Sequence, residues 1–442
     1  MDTQRLNRRT MLKAMGIASA GVLAGCAPAA PAPAEGGAAP AAAGGEVSLW
    51  QHTYAPLDNA YQILIAEFVE AHPEIEVLFD SVAATEFEQK LLTAVAAGSG
   101  PDIFRMPSWS TPAYVAKNIV KPMQPELLGM ESHKAVLDEY APPSSVDGWV
   151  VDGELYAIPI ELSTMATWYR LDIMQEELGV GPDQLPKTWD EIWEMAAQLT
   201  KKDEAGNTVR VGFAWPLTNA IWLMHHFAPI LYQVGGDFLS EDGGSCALDS
   251  DAGVAAIETM NAVYANGGAD VDFSVPQALE TGNQVIEFSG PFRPSTLVLN
   301  NPELEYKAQF IEGPWPQTEG GVPVGYTWGP ASLTPNPDSA VPEAAYTLMK
   351  FIWDRPEVFW DVANIMTTRR IFMESETFQA SPWLPTFMAE AEIARPAVQS
   401  VVYEEIKSAV ALMLQRVLIE GVSPQESVAL ACEDVNNALT RG

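Results

Sequence analysis

Apolar positions along the body of the chain follow two spacings in turn. Val47-Ser48-Leu49-Trp50 has the character of a short strand. Tyr61, Leu64, Ile65, Phe68 and Val69 then recur three and four residues apart, the stripe of an amphipathic helix. His72-Pro73 ends it, because the residue before a proline is pushed out of the helical region. Ile75 to Val82 predicts a second strand. Thr85 with Glu88 forms a capping-box pattern ahead of a second helix, whose stripe is Phe87, Leu91, Leu92 and Val95 and whose stop is Gly98. Asp102-Ile103-Phe104-Arg105-Met106 predicts a buried third strand. Strand, helix, strand, helix, strand argues for a largely parallel sheet, since parallel neighbours need a long crossover between them.

Farther along, Gly153-Glu154 lies between strand-like runs in the stretch from Gly148 to Glu161 and predicts a hairpin. Thr188 with Glu191 is another capping box, and Ile192, Met195, Ala196 and Leu199 follow at helical spacing. Val254, Ile257, Asn261 and Tyr264 mark a further helix closed near Gly267-Gly268. More helices are expected near Glu343–Trp353 and Arg395–Leu418. There is no internal repeat at a period of 20–50 residues. The 442 residues suit two domains.

The first 45 residues break the pattern. Arg5, Arg8, Arg9 and Lys13 precede a modest apolar stretch from Ala14 to Ala24, the layout of an export signal over residues 1–25. The stretch is too short to span a bilayer, which takes about 20 apolar residues. Asn7-Arg8-Arg9-Thr10-Met11-Leu12-Lys13 resembles a twin-arginine signal. Leu23-Ala24-Gly25-Cys26 resembles a bacterial lipobox, which implies cleavage before Cys26 and lipidation of its thiol. Ala27 to Gly45 is built of Ala, Pro and Gly around one charge, Glu35, and reads as a flexible tether over 26–45.

The formal charge is −34, and near −37 once residues 1–25, with four basic residues and Asp2, are removed. That surface repels nucleic acid and anionic lipid, so neither is an expected partner, and the only expected membrane contact is the lipid on Cys26. Beyond Cys26 the chain has only Cys246 and Cys432; their pairing is left open by the sequence.

Four stretches carry a resemblance: Phe87–Ala94 running on to Ala97-Gly98-Ser99-Gly100-Pro101-Asp102-Ile103; Asp152–Pro159 with Trp168-Tyr169-Arg170 and Pro186–Glu191; Gly282–Phe292; and Gly329–Pro335 with the helix through Trp353. Together the chain resembles the family 1 bacterial extracellular solute-binding proteins, the sugar-binding type that includes maltose-binding protein. The resemblance implies an α/β, two-lobed periplasmic-binding-protein-like fold, each lobe a doubly wound mostly parallel sheet, with ligand in the cleft between lobes. It places residues 46–160 with 290–335 in the N-terminal lobe and 161–289 with 336–442 in the C-terminal lobe. Crossings are expected near Pro159–Glu161, Phe288–Gly290 and Leu333–Pro337. It also implies a monomer that serves the transmembrane subunits of an ABC permease and is held outside the cytoplasmic membrane or in the periplasm.

Sugars present flat C–H faces and rings of hydroxyls, which aromatic faces and polar side chains match. The chain has 13 Trp and 12 Tyr. Gln51 and His52 follow the first strand, where α/β lobes bind ligands, with Tyr54 as a stacking ring; local packing is the alternative. Trp109 follows the third strand and is a candidate stacking platform. Glu161 sits at the first crossing as an acceptor of hydroxyls, or as half of a hinge salt bridge. Trp215 and Trp222 flank Thr218-Asn219; one is expected to line the cleft and the other to pack. Ser289 and Phe292 sit at the second crossing, with Phe where relatives often carry Trp, so that stacking there is weaker. Tyr326 and Trp328 lie among glycines, a loop-like setting that suits ring exposure. Arg369 is a candidate for a hydroxyl pair or a carboxylate, with salt bridging as its alternative. Trp189, Trp193, Trp353 and Trp360 fall on helix stripes and are expected in cores.

Three rivals remain. The same fold could carry a glycerol phosphodiester or a polyamine instead of a sugar. A glycoside-acting enzyme would use paired carboxylates, but Glu176-Glu177 and Glu404-Glu405 fall on solvated helix faces, and no nucleophile-elbow, P-loop or His-Glu-x-x-His pattern occurs. His225-His226 are adjacent, so on a helix they point apart and make a poor metal pair. No cofactor or metal is expected. An adhesive surface protein is the third rival.

Overall fold

The computed structural model describes residues 45–84 and 86–441. The signal, Cys26, all but the end of the tether, and Thr85 of the first expected capping box lie outside the described residues.

Fifteen strands follow in chain order among them. The first six are β1 (Gly45–His52), β2 (Ile75–Val82), β3 (Ile103–Phe104), β4 (Val150–Val151), β5 (Glu154–Leu155) and β6 (Ile158–Pro159). Next come β7 (Ser163–Thr164), β8 (Ala166–Arg170), β9 (Lys201–Lys202), β10 (Thr208–Phe213) and β11 (Gln284–Ser289). The last four are β12 (Phe310–Gly313), β13 (Gly325–Trp328), β14 (Ser332–Pro335) and β15 (Ala394–Pro396).

The first sheet has the order β2-β1-β3-β14-β6. β1 runs parallel to β2, with Gly45 opposite Ile75 and His52 opposite Val82, and parallel to β3. The helix Ala55–Ala71 makes the crossover and buries Tyr61, Leu64 and Phe68. Ile65 is half-buried and Val69 exposed, so its buried stripe is narrower than its pattern of apolar residues. β4 and β5 pair as the expected hairpin. The second sheet has the order β12-β8-β11-β10-β9, with β10 and β11 parallel and the other pairs antiparallel. The helix Trp189–Leu199 covers it. Its capping box forms as expected: Glu191 N–H donates to Thr188 Oγ1 at 3.3 Å and Thr188 N–H to Glu191 Oε2 at 3.1 Å. A small third sheet, β15-β13-β7, lies at the chain crossings.

Each large sheet has its own apolar core. Val47, Leu49, Phe104 and Leu333 fill the first, and Trp193, Phe213, Ile286 and Phe288 the second. A third cluster joins Trp168 and Leu297 to Phe387. Burying each such side chain contributes about 1.5–3 kcal/mol relative to leaving it in water.

The expected lobe boundaries need correction. β12 pairs with β8, Phe310 opposite Arg170, so residues 310–313 belong to the second lobe. The helix Pro342–Trp353 buries Tyr346, Leu348, Met349, Ile352 and Trp353 against the first core. The chain therefore crosses at Glu161, returns between β13 and β14, and leaves the first lobe again after the helix Pro356–Ala363. Backbone pairing in one case and an apolar helix face in the other decide this, and neither shows in the spacing of motifs. Cys246 and Cys432 form a disulfide, with Cα atoms 5.2 Å apart. No helix among the described residues is long and apolar enough to cross a membrane.

Candidate functional site

Strand register delivers the first polar groups. Val47, Leu49 and Gln51 share the core-facing side of β1, so the last of them carries an amide into the interior at the strand's carboxyl end. Gln51 is fully buried. Its Nε2 donates to the Ser332 carbonyl at 3.3 Å, while Oε1 is shielded from solvent and has no partner. His52 Nδ1, on the next residue, is likewise shielded and unpartnered. Arg105 continues the pairing beyond β3, its N–H donating to the Trp50 carbonyl at 3.0 Å. Its Nε also lacks a partner. Desolvation pulls this guanidinium down to about 10, against the attraction of Glu161. His52 is held well below the usual imidazole range by burial and by the Arg105 charge.

Glu161 stands at the first crossing, where its N–H reaches the Ala331 carbonyl at 3.3 Å. Its carboxyl is buried, accepts from Ser163 Oγ at 3.0 Å and is pushed up to about 7 by burial. Shielded donors and acceptors without partners are costly in a finished core, at about 1–3 kcal/mol each. Here they stand at the ends of the adjacent strands β1 and β3, and the Arg105 charge acts on both His52 and Glu161.

Aromatic rings border this place. Trp109 follows β3 yet packs into the second lobe's core, stacked on Tyr403 at 5.7 Å and edge-on to His225 at 5.6 Å. Trp222 is half-buried, 5.8 Å from the His226 ring and 6.1 Å from Phe292. Phe292 packs against both lobes. Tyr54 is an interlobe tie: its hydroxyl is 2.9 Å from Ser295 Oγ and 3.1 Å from Thr296 Oγ1.

Three expectations change. Tyr326 and Trp328 are not exposed loop rings. They lie on β13, every residue of which is buried, with Tyr326 OH 3.1 Å from His225 Nδ1 and Trp328 stacked on His225 at 4.8 Å. Arg369 does not join the group. It donates to the Trp353 carbonyl at 3.1 Å, lies over the Trp353 ring at 3.8 Å and pairs with Glu139 at 3.4 Å. Trp215 packs, with Nε1 donating to Met260 O at 2.9 Å, but one edge also borders a cavity.

That cavity, of about 610 Å3, opens at the carboxyl ends of the parallel pair β10 and β11, where α/β folds bind ligands. Trp215, Trp222, Ser289 and Phe292 line it, together with Glu280, Glu287 and Arg293. The volume falls within the roughly 300–1,000 Å3 of small-molecule sites.

Sequence reasoning missed Arg105, His225, His226 and Tyr403. Arg105 had a signal, a lone charge at the end of an apolar run. The histidines, weighed only as metal ligands, stack among rings. His226 Nε2–H donates to the Phe288 carbonyl at 3.3 Å, and burial pushes its pKa down to about 4, so the ring is neutral.

Residues 54–352 match the family model of the bacterial extracellular solute-binding proteins. The chain belongs to that family. A maltotriose-binding protein of Pyrococcus abyssi is 23% identical over 72% of this chain, which spans 65% of that relative's length. The diacetylchitobiose-binding protein DasA of Streptomyces coelicolor is 25% identical over 71% of each chain. Among solved structures, the GacH receptor of Streptomyces glaucescens superposes with a TM-score of 0.77 at 19% identity, covering 90% of this chain and 99% of that one. A Thermotoga lettingae solute-binding protein bound with α-D-tagatose gives 0.77 at 20%, covering 89% and 99%. These superpositions establish the two-lobed fold of this family member.

Proposed function

We propose that this protein is the extracellular substrate-binding component of an ABC importer. It binds a sugar or oligosaccharide between its lobes and delivers it to the permease. The observation that carries this reading is that Gln51 Oε1, His52 Nδ1 and Arg105 Nε, at the ends of the adjacent strands β1 and β3, are all shielded and unpartnered, with the Arg105 charge acting on both His52 and the buried carboxyl of Glu161 at the interlobe crossing. A polyhydroxylated ligand pairs with such groups, and the rings of Trp109, Trp222 and Phe292 supply apolar faces for its C–H surfaces. The sugar-binding relatives support the same reading. Binding rather than turnover is its role. We further propose that Cys26 carries the lipid that anchors a monomeric mature protein, after export on the signal at residues 1–25.

Thermal unfolding of the purified protein against mono- and oligosaccharides, glycerol phosphodiesters and polyamines tests this. A ligand present at 100 times its Kd stabilises the native state by about 2.7 kcal/mol. The expected outcome is a raised Tm with one sugar class, lost in Glu161→Ala. A rise with a phosphodiester or polyamine alone keeps the fold and rejects the sugar.

A further inference from the structure

The cavity at the ends of β10 and β11 has an uneven supply of hydrogen-bond donors and acceptors. Arg293 opens the helix Arg293–Asn300 and is nine-tenths buried. Its Nη1 donates to Glu280 Oε1 at 3.1 Å, and its Nη2 to Glu280 Oε2 at 3.1 Å and Glu287 Oε2 at 3.0 Å. Its Nε lies 2.7 Å from Glu287 Oε1. Asn300 Nδ2 adds a bond to Glu280 Oε1 at 2.9 Å. Of the five N–H groups of the guanidinium, Nη1 and Nη2 make three hydrogen bonds to the two carboxylates, while Nε faces Glu287 without completing one, so its charge is paired on both sides. Each carboxylate accepts about four bonds, so both keep acceptor capacity to spare.

The remaining wall tilts the same way. Asp270 is a third carboxylate against the single guanidinium. His226 directs its one N–H to the Phe288 carbonyl, which leaves Nδ1 as an unpartnered lone pair. Trp222 and Phe292 supply the apolar faces, and the Phe292 ring meets Tyr54 of the first lobe edge-on at 6.4 Å.

We propose that this cavity is a subsite for the hydroxyl- or amine-bearing end of the ligand, and that it excludes any ligand presenting a phosphate or carboxylate there. The proposal rests on the sugar-binding reading. An incoming donor finds carboxylate lone pairs already fixed in place. An incoming anion finds three like charges against one guanidinium whose charge is already paired with two of them, and is rejected by repulsion and by lost solvation.

Calorimetric titration of the purified full chain with neutral, amino-bearing, uronate-bearing and phosphorylated oligosaccharides tests it. Binders are expected in the neutral or amino sets. The uronate analogue of a neutral binder is expected to bind at least tenfold more weakly. Glu287→Gln narrows that ratio, while Glu76→Gln on the exposed side of β2 leaves it unchanged. Should Glu287→Gln fail to fold, the wild-type ratio decides. A uronate or phosphate analogue that binds as tightly as its neutral parent overturns this inference alone. Binding by no glycan of any charge overturns it together with the sugar reading.

Discussion

Glu161 shows what one position at a crossing does. Its carboxyl is buried with one hydroxyl donor and a nearby guanidinium, and burial outweighs both, raising its pKa from the ordinary value of 4.5 to about 7. The folded state therefore holds the proton more tightly than the unfolded chain does. The stability this contributes is fully present below pH 4.5 and is lost as pH rises through 7. A shift of this size corresponds to about 3 kcal/mol. Without ligand, Glu161→Gln is expected to match the wild type in urea unfolding near pH 4.5 and to exceed it by up to about 3 kcal/mol at pH 8. A difference that does not change with pH would remove burial of the carboxylate as the cause. Position alone marked this residue: a charge beside a lobe crossing. Arg105 occupies the matching place after β3, where its signal, a lone charge toward the end of an apolar run, names a position but no role. Gln51 was legible because it follows the first strand, at the end where α/β lobes bind ligands, and the structure sets it on the buried side of β1.

At the scale of elements, periodicity found the helices and strands whose apolar faces meet a core, and it failed where pairing rather than patterning decides. β13 is such a case. Its flanking glycines look like loop residues, yet they are there because other chain segments come close. A Cβ on Gly325 would stand 2.6 Å from the Glu390 carbonyl, and one on Gly329 would stand 1.8 Å from Trp149 Cη2. The Gly329 carbonyl accepts from Ser108 N–H at 2.8 Å, which pins the return crossing to the loop that carries Trp109. Trp149 is held in turn by a bond from Nε1 to Met106 O at 2.9 Å. Gly329→Ala must displace that indole or the crossing itself. Overpacking typically costs about 1–3 kcal/mol, and a contact this short belongs at or above the upper end. Urea unfolding is expected to show a loss of at least about 3 kcal/mol. A loss below 1 kcal/mol would show that the crossing yields freely, contrary to the packing described.

Across the whole molecule, the two lobes are tied by few elements, and the second carries a covalent closure outside the cavity lining. Cys432 lies on the helix Pro424–Leu439 and Cys246 ahead of the helix Asp251–Ala265, with a separation of 186 residues. The sequence could count these two thiols but could not bring them together, since the contact depends on the C-terminal helix folding back across the lobe. Such pairing fits a protein whose family works outside the cytoplasm. In the chain-entropy view, closing a loop this long restricts the unfolded ensemble by about 5 kcal/mol, an upper figure because residual structure reduces it. The cavity proposed as a ligand subsite opens at the carboxyl ends of β10 and β11, and neither cysteine is among its lining residues. Cys246→Ser with Cys432→Ser is therefore expected to lower the urea midpoint markedly while leaving sugar affinity in native buffer within about twofold. Equal midpoints for variant and wild type would mean the unfolded chain is already compact around this contact. A large loss of affinity in the folded variant would mean that these helices hold the cleft in shape.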